Sequence, residues 1–339
     1  MLRASLGVAA IGAVLAGGAE VQTASAEGEV NIYSARHYQT DEQLYNDFEE
    51  ETGITINRIE AESDVLIQRI QNEGVNTPAD VLITVDAGRL WRAEEAGIFA
   101  SVDSDVLNER LPERMRHPDG RWFGFSQRVR VIYYDASRWD TPPVTTYEGL
   151  ADPALEGEVC IRSSSNVYNQ SLLASLIEHH GEEEAEAWAA DVVSNFARAP
   201  QGGDTDQIRG VAAGECGVAV ANHYYYLRLL EDEPETVENV ALVFPNDEDR
   251  GVHANVGGAG VIENGPNRDN AVAFLEYLSS DTAQRHFADG NNEFPAVKGV
   301  EASELATSLG EFNTDPVNVA VYGKHQAPAQ MIFDRVGWR

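Results

Sequence analysis

The sequence predicts an α/β protein of two domains, each an open, mostly parallel sheet flanked by helices. Three observations carry this reading. The chain has 339 residues, 43% of them hydrophobic, which is more than one ordinary domain and enough for two cores. Strand-like and helix-like stretches alternate from residue 29 onward, and residues 79–86 form a continuous apolar run, as in a parallel sheet covered on both faces. Two longer strand-like runs, 129–135 and 253–262, break that alternation and read as crossovers between the domains.

Residues 1–26 read as a secretory signal, with Arg3, an apolar stretch over 6–16 and a small-x-small site at Ala24-Ser25-Ala26. The apolar stretch is short and rich in Gly and Ala for a membrane span. A strand over 30–34 leads to the polar loop Ala35-Arg36-His37-Tyr38-Gln39. Thr40 opens a helix with Gln43 in the capping-box position, Leu44, Tyr45 and Phe48 inward, and Gly53 as its stop. An alternating strand, 54–61, precedes a helix capped by Ser63 with Leu66, Ile67 and Ile70 inward. The apolar strand 79–86 and a helix over 89–96 complete three βα units.

The second half repeats the logic. A strand over 157–162 enters the hydroxyl-rich loop 163–169, which opens a helix over 170–179. Helices over 182–195 and 204–213 follow, then a buried strand over 216–221. Gly257, Gly258 and Gly260 in the second crossover imply close backbone approach. Helices over 271–279 and 282–288, a loop at 291–295 and one helix after Val317 close the chain.

The net charge of −32, with a pI near 4.4, argues against nucleic acid and anionic membranes as partners. Lysine occurs only at Lys298 and Lys324, and such an acidic surface fits a saline habitat. An exported chain meets an oxidising compartment, so Cys160 and Cys216, each beside a candidate ligand loop, are candidates for one disulfide.

The most informative stretch is Asn222-His223-Tyr224-Tyr225-Tyr226-Leu227-Arg228. A buried strand that breaks into a phenol-rich turn is where an α/β protein places its ligand. Taken alone, a strand-end aromatic cluster accounts for the three tyrosines equally well. Catalytic signals are missing: there is no Gly-x-Ser-x-Gly, His-Glu-x-x-His or phosphate loop, and Ser163-Ser164-Ser165 has no obvious histidine partner. The chain is therefore read as a binding protein, with a secreted hydrolase as a lesser alternative. His179-His180 ends a helix before Gly181, where histidine complements the helix dipole. Glu182-Glu183-Glu184 reads as a solvated helix start, and Tyr33, Tyr133 and Tyr134 as core.

Tyr33-Ser34-Ala35-Arg36-His37-Tyr38, Ser163-Ser164-Ser165-Asn166-Val167-Tyr168-Asn169 and Ala221-Asn222-His223-Tyr224-Tyr225-Tyr226, in that order, resemble the iron-binding proteins of bacterial ABC transporters. This is the tyrosine/histidine branch within the type II periplasmic binding-protein fold. Phe274-Leu275-Glu276-Tyr277-Leu278, residues 291–295 and the closing Asp334-Arg335-Val336-Gly337-Trp338 extend the match. The resemblance implies two lobes around a ligand cleft: 27–127 plus 252–300, and 128–251 plus 301–339. It implies His37 and Tyr38 as metal ligands from the first lobe and Tyr168, Tyr224 and Tyr225 from the second, with Tyr226 left to packing. A solvent-facing His37 and a helix-capping Tyr168 are the plainer alternatives. The departure is His223, which adds a nitrogen beside the tyrosine pair. Arg36 and Arg228 are candidates to stand behind the ligands and damp negative charge.

The implied cargo is iron, Fe3+ first with Fe2+ as the alternative, and carbonate or water completing its coordination. A hard, highly charged cation prefers anionic oxygen and promotes loss of the phenol proton. Three phenolates neutralise a 3+ ion, and a neutral imidazole adds a ligand without adding charge. The implied setting is the periplasm, and the implied partner an ABC permease in the inner membrane, served by a monomer. A polyamine or an organic anion is the alternative ligand on the same fold.

Overall fold

The computed structural model describes residues 28–36 and 40–339, so the expected signal, 1–26, and His37 and Tyr38 lie outside the described residues. In the first βα units, β1 (Gly28–Ser34) pairs in parallel with β2 (Ile54–Glu60) and β3 (Val81–Val85). Helices α1 (Asp41–Thr52), α2 (Ser63–Glu73) and α3 (Ala87–Glu95) follow these strands in turn. Their apolar faces are those the periodicity predicts: Leu44, Tyr45 and Phe48 on α1, and Leu66, Ile67 and Ile70 on α2, are buried. Gly53 ends α1 at φ 73°, a conformation an L side chain resists.

Two caps differ from expectation. The Gln43 side chain bonds Asp47 instead of closing a capping box, and the Thr40 hydroxyl reaches Asn291. Ser63 is the first residue of α2, and its buried hydroxyl pairs with that of Thr84 at 2.6 Å. A buried hydroxyl with a neighbour on β3 is satisfied there and is not needed at the helix end.

After α4 (Asp105–Arg110) comes β4 (Phe123–Asp135), thirteen residues buried along their whole length. The second lobe then adds β5 (Val159–Cys160), α5 (Val167–His180), α6 (Glu182–Ser194) and α7 (Asp204–Ala212). β6 (Val218–Asn222), α8 (His223–Asp232) and β7 (Val240–Val243) complete it. The return strand β8 (Ala254–Val261) leads back to α9 (Arg268–Leu278), α10 (Asp281–Asn291) and β9 (Phe294–Pro295). The C-terminal stretch holds α11 (Glu304–Thr307), α12 (Ala320–Lys324) and α13 (Gln326–Val336), where the sequence suggested one helix.

The strand order is β2-β1-β3-β8-β4-β6-β5, with β7 and β9 also paired to β4. Parallel pairing holds for β2-β1-β3 and for β5-β6; the two crossover strands enter antiparallel. The first half of β4 pairs with β8, and its second half pairs with β6 and β7. One strand thus belongs to both sheets, and two separate cores form around it. Phe48, Trp122 and Phe274 lie in the first; Tyr133, Leu173, Val220 and Trp338 lie in the second. The C-terminal stretch contributes to both, with Val319 and Tyr322 in the first core and Ile332 and Phe333 in the second. The crossover glycines have the reason expected. A Cβ on Gly258 would sit 2.5 Å from the Phe123 carbonyl oxygen, and one on Gly257 2.8 Å from the Arg128 guanidinium.

Cys160 and Cys216 are joined in a disulfide with Cα atoms 5.8 Å apart. It ties β5 to the turn before β6, and thereby the strands that launch α5 and α8. Closing a loop across 56 residues restricts the unfolded chain by about 4 kcal/mol in the chain-entropy picture. Changing both cysteines to serine should therefore lower unfolding stability by roughly 2–4 kcal/mol in a denaturant titration.

His253 stands at the start of β8, fully buried against the Tyr322 ring. Burial first, then the positive charges of Arg130 and Arg250, lower its pKa from 6.5 to about 3. The unfolded chain therefore takes the proton first. The stability that a neutral His253 contributes is complete above pH 6.5 and is lost as the pH falls toward 3. Melting temperature should fall as the pH is lowered from 6.5 to 5, and His253→Phe should reduce that slope, leaving the part that His223, also held low by burial, contributes.

Candidate metal centre

The tyrosine stretch is not a turn but the first turn of α8. Asn222 ends β6, and His223 to Asp232 continue as helix. At 100° per residue the three side chains fan out around the helix, and it is their contacts that separate Tyr226 from the other two. Tyr226 donates its hydroxyl to the Val240 carbonyl and packs on Tyr133, which leaves the adjacent pair for the cleft. The rings of Tyr224 and Tyr225 lie 4.4 Å apart between centroids.

Tyr168 occupies the first turn of α5, where the Asn166 side chain caps its backbone N–H. It therefore does not cap the helix itself. Its hydroxyl stands 3.5 Å from that of Tyr224. Tyr168 and Tyr225 line a cleft of about 330 Å³, faced from the first lobe by Glu62, Ser63 and Arg89. Among the described residues no group of three or more His, Cys, Asp or Glu side chains is placed to hold a metal ion. The hydroxyls of Tyr168 and Tyr224 are the oxygen donors that come together beside it.

What holds the phenols together is a buried ion pair. Arg130, on β4, donates to Asp204 at 3.1 Å and is about 1% exposed. The same guanidinium donates to Asn222 at 3.1 Å and to Asn169 at 2.7 Å. Asp204 in turn accepts the Asn222 backbone N–H at 2.8 Å and a longer bond from Arg162 at 3.4 Å. Asn169 is the neighbour of Tyr168, and only His223 separates Asn222 from the tyrosine pair. The pair thus pins the starts of α5, α7 and α8 to one strand.

The surroundings of the phenols are cationic. The guanidinium of Arg228 lies 5.1 Å from the Tyr224 ring centroid and 5.8 Å from that of Tyr225. Those of Arg162 and Arg130 lie 5.6 and 5.8 Å from the Tyr168 ring. These charges can offset phenolate charge beyond what a bound ion neutralises. Arg36 is placed differently. It is buried and engages Asp41 at 2.9 Å and Glu293 at 3.1 Å. Glu293 also pairs with Arg128. Burial opposes the Glu293 charge, but Arg128 and Arg36 outweigh it and hold the carboxyl at about 2.

His223 does not add a free nitrogen. It is wholly buried; its Nδ1 accepts the Val129 N–H at 3.3 Å, and its Nε2 donates to the Asn292 carbonyl at 2.8 Å. Burial chiefly lowers its pKa, to about 4. His179 and His180, which end α5, each bond a carboxylate, Asp315 and Glu148 respectively. The Ser163 and Ser165 hydroxyls bond one another.

Of the sequence-predicted residues, Tyr168, Tyr224, Tyr225 and Arg228 come together, Arg36 sits back among carboxylates, and His37 and Tyr38 lie outside the described residues. Sequence reading missed Arg130, Asp204, Arg162 and Glu62. A signal existed for the first: arginines at 128 and 130 in an otherwise apolar strand cannot be buried without partners.

A family model for bacterial extracellular solute-binding proteins matches residues 76–311. Iron uptake protein A2 of Synechocystis sp. is 52% identical over 316 residues, 91% of this chain and 90% of its own length. Iron uptake protein A1 of the same organism is 50% identical, over 94% of this chain and 89% of its own. A Trichodesmium protein, IdiA or FutA, solved in complex with iron and citrate, superposes with a TM-score of 0.90 at 50% identity, covering 92% of this chain and all of that one. The chain belongs to the bacterial extracellular solute-binding protein family.

Proposed function

We propose that the protein captures iron in the periplasm and hands it to an ABC importer. The observation that carries this is the approach of the Tyr168 and buried Tyr224 hydroxyls to 3.5 Å, next to a cleft that Tyr168 and Tyr225 line between the two lobes. Relatives that cover nine-tenths of the chain are named for iron uptake. Tyr168, Tyr224 and Tyr225 bind the ion as phenolates, and His37 and Tyr38 complete the site from the first lobe. Fe3+ is the cargo that matches a phenolate set, because hard anionic oxygens favour the higher charge. Carbonate or water fills the remaining positions. Arg228 and Arg162 balance the charge around the phenolates.

The lobes correspond to 27–127 plus 252–300 and to 128–251 plus 301–339, except that Val319 and Tyr322 return to the first core, with β4 and β8 as the strands that run between them. Hinge motion about these strands closes the cleft, and the closed face is what the permease recognises. The protein works as a monomeric binding protein without catalytic activity of its own, reached through the signal at 1–26.

Iron-loaded protein should be coloured by phenolate-to-iron charge transfer. The double variant Tyr224→Phe/Tyr225→Phe should lose the visible band and weaken iron binding by more than about 100-fold, since even residues behind metal ligands are worth 10–100-fold. Affinity that survives both changes would remove the ligand assignment. Asp204→Asn leaves the Arg130 charge without its buried partner. It should cost about 3–5 kcal/mol in denaturant unfolding and weaken iron binding, read by chelator competition, although Asp204 touches no ligand atom.

A further inference from the structure

His223 precedes the tyrosine pair, and its single ring bonds a residue on either side of α8. The backbone N–H of Val129 can only donate, so Nδ1 carries the lone pair and Nε2 carries the proton. That proton is donated to the Asn292 carbonyl at 2.8 Å. Val129 belongs to the second core. Asn292 follows α10, whose Ala283 and Phe287 belong to the first. One ring nitrogen therefore anchors α8 within its own lobe, and the other reaches across. The ring also stacks on Phe294, with centroids 4.5 Å apart and planes 25° from parallel.

The segment it reaches is itself tightly held. Asn292 adopts φ 54° and its side-chain amide donates to Glu231, further along α8, at 3.2 Å. The next residue, Glu293, pairs with Arg128 and Arg36. The preceding one, Asn291, accepts from Thr40 and, at 3.5 Å, from Arg228. α8 thus meets the strip that follows α10 along its length, from His223 to Glu231, and His223 makes the shortest of these polar contacts.

We propose that His223 is a positioning residue: its Nε2–H bond to the Asn292 carbonyl latches the tyrosine-bearing turn of α8 against the first lobe and sets how long a bound ion is retained. The imidazole does not ligate the ion, since both nitrogens are engaged away from the phenols. This rests on the phenolate site proposed above. The latch acts on release. Ion capture begins at the phenols of one lobe, whereas escape requires the strip at 291–293 to part from α8.

Two polar variants separate the two nitrogens. Gln at 223 reaches as far as Nε2 and keeps a donor toward Asn292. Asn at 223 mimics Nδ1, keeps the bond to Val129 and cannot reach Asn292. Iron-loaded wild type, His223→Gln and His223→Asn are mixed with excess chelator, and loss of the visible band is timed. His223→Asn should release iron about tenfold faster, the factor that one net hydrogen bond of about 1.4 kcal/mol represents. His223→Gln should stay near the wild-type rate, and all three should share one band position and one association rate. Equal release by the two variants would overturn the latch. A shifted band would also overturn it, by showing His223 to act on the iron or its phenolates directly. Loss of thermal stability in His223→Asn without faster release would assign the residue to folding alone. The Tyr224→Phe/Tyr225→Phe protein is measured in parallel, and an unchanged band there would sink the phenolate reading whatever His223 does.

Discussion

The buried pair of Arg130 and Asp204 is the constraint on which the candidate site depends. Two charges this deeply buried persist only when each is hydrogen-bonded on nearly every side, and here those bonds are the architecture. Arg130 leaves β4 and meets Asn169 and Asn222; Asp204 receives the Asn222 backbone and Arg162. Three helices begin at this point. Their first turns are where α/β proteins bring polar chemistry to the surface of a sheet, and two of them carry the phenols. The ion pair contributes little as generic stability. Its value lies in fixing where α5 and α8 start relative to one another.

The disulfide and the long strands act on the same geometry from further away. Cys160 and Cys216 stand eight residues before Tyr168 and Tyr224 respectively, and their bridge ties the two strand ends from which both helices depart. β4 carries Arg128 and Arg130 on one continuous strand that serves both sheets. Arg128 answers to Glu293 at the edge of the first lobe, and Arg130 to Asp204 in the second. Any rotation between the lobes therefore passes through the strand that also holds the site. This coupling gives a binding protein of this build a physical means of linking cargo to shape.

The charge pattern separates surface from cleft. The chain as a whole carries −32, yet the rings of Tyr168, Tyr224 and Tyr225 are approached by guanidiniums from Arg130, Arg162 and Arg228. An acidic exterior favours approach of a cation, and the guanidiniums place positive charge beside the three phenol rings. Arg36 belongs to a different circuit, with Asp41 and Glu293, and its role is to hold the edge of the first lobe.

The alternation of the first three βα units, the inward faces of α1 and α2, the close approach at the crossover glycines and the tyrosine runs were legible in the sequence, whereas α4, β7 and the helix α8 were not. Each legible feature rests on local pattern: hydrophobic period, glycine stops, and phenols in an unusual run. Some things only the tertiary structure decided. The tyrosine stretch begins a helix because a buried strand ends at Asn222 and the ion pair fixes that end, which no local propensity conveys. His223 looked like a spare metal ligand because it adjoins the tyrosines; its true partners, Val129 and Asn292, lie 94 and 69 residues away in sequence. Nothing in the local sequence sets Asp204 apart at the start of its helix; β4 brings Arg130 beside it. Residue type and local period set which chemistry is available, whereas burial and long-range pairing set which groups are consumed by structure and which are left to bind.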